Sequence, residues 1–219
     1  MVSRDRSASK QFPGTGAPEN WDDLPAEPLP PTTEDIGVPS LGLDAPIMLL
    51  PIGRIDVGAF DFVRKPLVDI FGRTVEIGNR LPVPKYAFNP TRAQYHSSAI
   101  MKRIEEARAP EWDAAIGISI EDLFIPEVPF IFGEADRSTR SALLSIARLK
   151  PDSGNLESRE EVLRRRLVSE AVHQVGLLRG LAHCPNNRCV MFYAALVQEI
   201  DKRGATLCAN CKKRLMALT

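Results

Sequence analysis

The sequence predicts a compact domain of the α/β (α+β) class, in which a mixed sheet packs on one long helix. Short apolar runs that are typical of buried strands alternate with stretches of helical periodicity. The spacing between these segments is irregular, which favours a mixed sheet over a doubly wound parallel one. Two close cysteine pairs follow the longest helical stretch and predict a metal-bound C-terminal segment.

The composition narrows the class of protein. The chain has 219 residues, 44% of them hydrophobic, with 28 basic and 28 acidic side chains. This composition excludes a fully disordered chain, and zero net charge argues against a nucleic-acid-binding protein. The apolar runs are shorter than the roughly 18 residues of a membrane span, and the first residues lack the apolar core of a secretory signal. We therefore expect a cytoplasmic protein with reduced thiols and no membrane partner.

The chain is predicted to divide near residue 46. Residues 1–45 hold seven of the 18 prolines and lack apolar periodicity, so we expect a disordered tail. Residues 46–219 are predicted to form the domain.

The first predicted elements follow directly. Residues 47–52 form an apolar run that predicts a buried strand, and residues 74–77 predict a second strand. Between them, residues 57–72 carry apolar side chains at helical spacing. Pro66 lies inside this pattern and is expected to bend or interrupt the helix. Residues 81–84 predict a turn or an extended segment.

The middle of the chain predicts one helix and three further elements. Residues 92–108 predict a helix and residues 114–118 a third strand. Residues 128–135 predict a fourth strand, and Pro129 places it at an edge because proline cannot donate to a ladder. Residues 142–149 are apolar and fit either a fifth strand or a short helix.

The longest helix is predicted over residues 158–179. Ser158 and Glu161 have the spacing of a capping box at its start. Apolar residues form one side of this helix, and the basic run at Arg164, Arg165 and Arg166 is expected to face solvent.

The four cysteines of the chain form two pairs with the spacing of a zinc site. Cys184 and Cys189 form C-x4-C, and Cys208 and Cys211 form C-x2-C. Four thiolates fill a tetrahedral site, so such a zinc stabilises the fold and leaves no position for water. The zinc segment would span residues 184–215. Four buried thiols, or two disulfides in a secreted protein, are the alternatives.

A partial zinc-peptidase motif precedes the first cysteine. The pattern H-E-x-x-H-x-x-G-x-x-H aligns with His173, Gln174, Leu177, Gly180 and His183. The first and third histidines and the glycine fit the pattern. Gln174 replaces the glutamate, and Leu177 replaces the second histidine.

This motif, followed by the cysteine pairs and Met191, resembles the archaemetzincin family of zinc metallopeptidases. The resemblance covers about residues 46–215 and includes Leu50-Pro51-Ile52-Gly53 and Leu81-Pro82-Val83-Pro84. It implies a metzincin-like fold, with a twisted mixed sheet on an active-site helix and a methionine turn at Met191. It also implies a catalytic zinc on three histidines, a glutamate as general base and a structural zinc on four cysteines.

Carried over residue by residue, the four-cysteine site is complete and the catalytic site is not. Leu177 has no donor atom for a metal, and the amide of Gln174 does not titrate near neutral pH and cannot act as a general base. We therefore expect one structural zinc, held by the cysteines, with His173 and His183 as remnant ligands of the lost site. The protein is predicted to be a non-catalytic homologue of the peptidases. It would bind an extended peptide along a strand from Val128 to Phe132.

Three alternatives stay open from the sequence. Glu170 could complete a metal site with His173, or it could pair with Arg166 on an exposed face. The protein could be an active metallopeptidase or aminopeptidase with an altered site. A zinc-dependent nucleic-acid module is the least favoured alternative; its basic residues would be Lys202, Arg203, Lys212, Lys213 and Arg214.

Overall fold

The computed structural model describes residues 45–218, except for the side chain of Ala59. Apart from Ala45, the predicted tail lies outside the described residues. No helix within residues 45–218 is both long and apolar enough to cross a membrane. The elements follow in this order: β1 (Ile47–Ile52), α1 (Asp61–Phe71), β2 (Val75–Ile77), β3 (Phe88–Asn89), β4 (Gln94–His96), α2 (Ser97–Ala107), β5 (Ala114–Ser119), β6 (Leu123–Phe124), β7 (Gly133–Asp136), β8 (Ser141–Ser145), α3 (Leu156–Leu178), α4 (Val197–Arg203) and α5 (Ala209–Ala217).

The main sheet is mixed, which confirms the predicted fold class. Its strand order is β2-β1-β5-β8-β7. Neighbouring strands are parallel, except that β7 at the edge runs antiparallel to β8. A second small sheet has the order β3-β4-β6.

Both faces of the main sheet are covered, and β1 shows how the sequence achieves this. Ile47 and Leu49 belong to the core beneath α1 and α3. Met48 and Leu50 alternate with them and face the core beneath α2. Successive side chains point to opposite faces of a strand, so a strand covered on both faces needs an uninterrupted apolar run. The predicted strands at residues 47–52 and 114–118 match β1 and β5.

One of the two helix predictions for the first half of the domain is wrong. Pro66 lies inside α1 without interrupting it, and the buried side chains of Val63, Leu67 and Phe71 hold the helix against the core. The helix predicted over residues 92–108 begins only at Ser97. Ala93 has a positive φ of 53°, which no helix tolerates, and the next three residues pair as β4.

The predicted edge strand is shorter than expected. Residues 128–132 are irregular, with one bridge from Ile131 to Leu123, and β7 begins at Gly133. Pro129 has no N–H to donate. The Arg92 side chain takes the carbonyl oxygens of Val128 and Pro129, at 2.9 Å each. These carbonyls are therefore not available to a neighbouring strand.

The structure also settles the type of element at residues 142–149 and the start of the long helix. Residues 141–145 form β8, so the strand alternative for residues 142–149 is the correct one. The helix α3 begins two residues before the predicted start, and Asn155, not Ser158, is its N-cap. The Asn155 side chain accepts from the Ser158 N–H at 2.8 Å.

Candidate metal centre and the site of the peptidase motif

The four cysteines lie together, although 18 residues separate the two pairs in the chain. Their Sγ atoms are all within 4.8 Å of one another, and Cys184 and Cys208 are 3.9 Å apart. A tetrahedral zinc with Zn–S bonds of about 2.3 Å needs sulfur atoms about 3.8 Å apart. Donor type, number and spacing therefore fit a four-thiolate metal site.

Local hydrogen bonds favour a thiolate at Cys189 and donate to the sulfur of Cys208. The N–H of Cys208 points at the Cys189 sulfur at 3.4 Å, and the N–H of Cys211 points at the Cys208 sulfur at 3.5 Å. Hydrogen bonds from the Cys184 and Cys211 thiols lower the pKa of Cys189 to about 2. The same contact with Cys189 raises the pKa of Cys184 to about 12. A metal that binds all four sulfurs must therefore displace protons as it binds.

The two histidines of the motif lie at the end of α3 and just beyond it. His173 is buried, and its Nδ1 lies 2.8 Å from the carbonyl oxygen of Val190. Burial lowers the pKa of His173 to about 4, so the ring is neutral at pH 7. Nδ1 then carries the proton and donates to Val190, which leaves Nε2 as the acceptor. This tautomer suits a metal ligand.

His183 reaches the same place through a turn. The turn contains Gly180, which has a φ of +87°. A Cβ added at this position would also lie only 2.8 Å from the Arg137 guanidinium. The ring of His183 stacks on that of His173 with centroids 5.4 Å apart, and Tyr193 packs edge-on against it. Burial, then the nearby Arg203, lowers the pKa of His183. The structure thus brings both predicted remnant ligands together.

The other two motif positions do not contribute to a metal site. Leu177 has no donor atom. The Gln174 amide is buried, and its Nε2 donates to Glu170 Oε1 at 2.7 Å. Within residues 45–218, one group of three or more potential ligands lies close enough together to bind a single ion, and it consists of the four cysteines. The residues present at the histidines therefore do not fit a three-histidine zinc.

Glu170 belongs to a buried ion pair and not to an exposed one. Its Oε2 lies 2.5 Å from Nη2 of Arg203, and the side chains of Glu170 and Arg203 are 4% and 1% exposed. The predicted pairing with Arg166 is wrong. Arg166 is itself buried, against the expected solvent-facing position, and pairs with Asp201 at 2.8 Å. Glu170 is committed to Arg203 and Gln174, which also removes it as a metal ligand.

Arg203 ties three segments together around this pair. Its Nη1 donates to the carbonyl of Phe192 at 2.8 Å, and its Nε donates to Ser169 Oγ at 3.1 Å. Sequence reasoning placed Arg203 in an exposed basic patch and missed this role. The available signal was weak: Glu170 and Arg203 are 33 residues apart, and a basic residue near a helix end is ordinary.

The methionine turn packs against α3 through a glycine. Met191 is fully buried, and its side chain lies over Gly176. A Cβ at position 176 would overlap Met191 Sδ and come within 3.0 Å of its Cε. Glycine therefore lets the predicted Met turn approach the helix beside His173.

We expect Gly176→Ala to destabilise the protein, although alanine is the better helix former by about 1 kcal/mol. The added methyl group forces Met191 to move, and overpacking of this kind costs about 1–3 kcal/mol. Urea denaturation measures the free energy of unfolding.

The partner variant Met191→Ala and the double variant serve as controls in a double-mutant cycle. Coupling between the two positions is expected, because the double variant removes the overlap. Additive effects would contradict the contact.

Known proteins are similar to this chain over most of its length. The sequence model of peptidase family M54 matches residues 67–217. The archaemetzincin of Methanocaldococcus jannaschii is 32% identical over 169 residues, which are 77% of this chain and 92% of that protein. The archaemetzincin of Thermococcus kodakarensis is 33% identical over 176 residues, or 78% of this chain and 95% of that protein.

Solved structures show the same fold. The crystal structure of archaemetzincin from Methanopyrus kandleri superposes with a TM-score of 0.72 and 28% identity, covering 81% of this chain and 96% of that chain. The archaemetzincin from Archaeoglobus fulgidus, solved as a malonate complex, gives a TM-score of 0.66 and 30% identity, covering 77% of this chain and 99% of that chain. On sequence and on structure, the chain belongs to peptidase family M54, the archaemetzincins.

Proposed function

We propose that this archaemetzincin keeps a structural zinc on Cys184, Cys189, Cys208 and Cys211 but does not hydrolyse peptides. The observation that carries the proposal is the state of Gln174. This buried amide stands at the position of the general base and is held by Glu170. A positioned base contributes roughly 10²–10⁴-fold to a rate, and Leu177 removes a metal ligand in addition.

We further propose that the protein binds an extended peptide without cleaving it. The peptide would pair with β7 at the edge of the main sheet, and not with residues 128–132 as the sequence suggested. An edge strand presents backbone groups to which an added strand can hydrogen bond. Gly133 of β7 lies against Gln174, so a peptide at this edge would run past the remnant site.

Restoring the two lost groups tests the absence of catalysis. Wild-type protein is expected to hold one zinc per chain and to bind a fluorescent extended peptide without cleaving it. Gln174→Glu combined with Leu177→His supplies the base and the second histidine. His173 and residue 177 are neighbours on one helix face. This double variant is expected to hold two zinc ions per chain, measured by elemental analysis of protein purified without added metal.

The single variants are the matched controls. Leu177→His is expected to add a weaker second site. Gln174→Glu alone sets a carboxylate beside Glu170, where the amide now donates at 2.7 Å, and is expected to lower stability without adding zinc. Chelator-sensitive hydrolysis by wild-type protein that His173→Ala abolishes would overturn the proposal.

An active enzyme with a two-histidine metal site is the second candidate. One observation favours it: the Nδ1 of His173 bonds to Val190 and leaves Nε2 for a metal. Two zinc ions in the wild-type protein would support this candidate.

A further inference from the structure

Four arginines lie at the edge of the main sheet where its parallel strands begin. The residues just before β5 and β8 lie here, because parallel strands begin at one edge. The loop between α1 and β2 and the ends of α2 and α3 reach the same edge. We call this group the arginine cluster. Its four arginines act on one another through their charges, and Arg179 pairs with the buried Asp113. The members are Arg73, Arg108, Arg140, Arg179 and Asp113.

The cluster holds more positive than negative charge. Arg179 forms an ion pair with Asp113. Burial, and then repulsion from Arg73 and Arg140, lowers the pKa of Arg179. Burial, followed by repulsion from Arg108, lowers the pKa of Arg140. Arg179 pairs with Asp113, and Arg108 and Arg140 add two further guanidinium charges in this partly buried place, so these four groups together carry a net positive charge.

One donor of the cluster is buried without a partner. Within residues 45–218, Nε of Arg108 makes no hydrogen bond. A buried polar group without a partner costs about 1–3 kcal/mol. Guanidinium groups bind carboxylate and phosphate oxygens in paired hydrogen bonds. Charge and donor chemistry therefore point to an oxyanion.

Acidic residues precede β1 in the sequence. The carbonyl of Pro46 accepts from the N–H of Asp113 at 2.9 Å, so β1 enters the domain beside the cluster. Asp44 lies two residues earlier, within about 7 Å of Pro46 along an extended chain. Residues 11–44 contain no lysine or arginine and hold seven acidic side chains: Glu19, Asp22, Asp23, Glu27, Glu34, Asp35 and Asp44.

We propose that the arginine cluster is an oxyanion site and that its occupant is the acidic stretch of this chain, residues 19–44. The tether makes the encounter intramolecular, with an effective concentration on the order of millimolar. Several carboxylates share that tether, so one can replace another at the guanidinium groups.

Tryptophan fluorescence tests the occupant in the full-length chain. The chain has two tryptophans. Trp112→Phe leaves Trp21, which adjoins Asp22 and Asp23, as the reporter. Acrylamide quenching of Trp21 is expected to be weak at low salt. It is expected to strengthen at ~1 M salt, where the Debye length falls to about 3 Å.

Charge variants in this background separate the cluster from general electrostatics. Arg140→Glu is expected to strengthen the quenching at low salt to its high-salt level. The matched control Arg54→Glu changes an exposed arginine just beyond the opposite end of β1 and is expected to leave the quenching unchanged. A variant with the seven acids changed to their amides alters only residues before Ala45 and is expected to behave like Arg140→Glu. It keeps the test decisive if Arg140→Glu fails to fold.

Inorganic pyrophosphate, titrated by calorimetry, distinguishes a free oxyanion from the chain's own carboxylates. With the acidic stretch as occupant, pyrophosphate binds the amide variant more tightly than it binds wild-type protein. Equal affinity for both proteins, or quenching that ignores both Arg140→Glu and the amide variant, would overturn the proposal.

Discussion

Cys208→Ser is expected to remove the metal and most of the stability of the C-terminal half. Metal binding free energy is folding free energy at such sites, with apparent values of about 10–16 kcal/mol for zinc-finger peptides. Losing even a third of that would lower the melting temperature by on the order of 10 °C in a domain of this size. Thermal unfolding and zinc content, measured on the same sample, check the result.

Serine is the sharpest replacement because it keeps the other role of this residue. Cys208 is the N-cap of α5, and its sulfur accepts from the N–H of Cys211. Serine is among the preferred N-caps, so a loss of stability cannot come from a lost cap. Cys208→His is the matched variant, since zinc also accepts three cysteines and one histidine. It is expected to keep the metal and more stability than Cys208→Ser. A serine variant that melts like wild type would show that the cysteines hold no structural metal.

The sequence predicted those parts of the fold in which one local pattern agrees with the tertiary packing. An apolar run such as residues 47–52 can only be buried on both faces, and it became the second strand of the sheet. The helix prediction for residues 92–96 was wrong, because these residues pair with a segment that is distant in the sequence. The N–H of Tyr95 bonds to the carbonyl of Asp122 at 2.8 Å, and no local signal marks that pairing.

Some residues of the candidate site were likewise predictable from the sequence, and others were not. Residues His173, Gln174, Leu177 and His183 were found because the motif fixes their spacing on a helix and its following turn. Glu170, Ser169 and Arg203 were not identified as one network, because their contact depends on how α4 returns to α3. A sequence shows which residues are charged, but only the fold shows which of them are buried together.

Arg203→Met is expected to destabilise the protein by about 3–5 kcal/mol, the usual cost of breaking a buried ion pair from one side. The change leaves Glu170 buried with Gln174 as its hydrogen-bond partner. It also frees the Phe192 carbonyl, which Arg203 now binds directly after the methionine turn. Urea denaturation at neutral pH gives the free energy of unfolding. The zinc content is expected to stay at the wild-type value, which separates this loss from that of Cys208→Ser.

The matched variant is Arg203→Met combined with Glu170→Gln. Glutamine at position 170 still accepts from Gln174 but carries no charge, so the uncompensated carboxylate is gone. This double variant is expected to recover most of the lost stability, because a buried pair replaced on both sides often costs little. The coupling between the two positions then measures the ion pair itself. If the double variant is as unstable as Arg203→Met, the hydrogen bonds of Arg203 to Phe192 and Ser169, and not its charge, hold the methionine turn on α3.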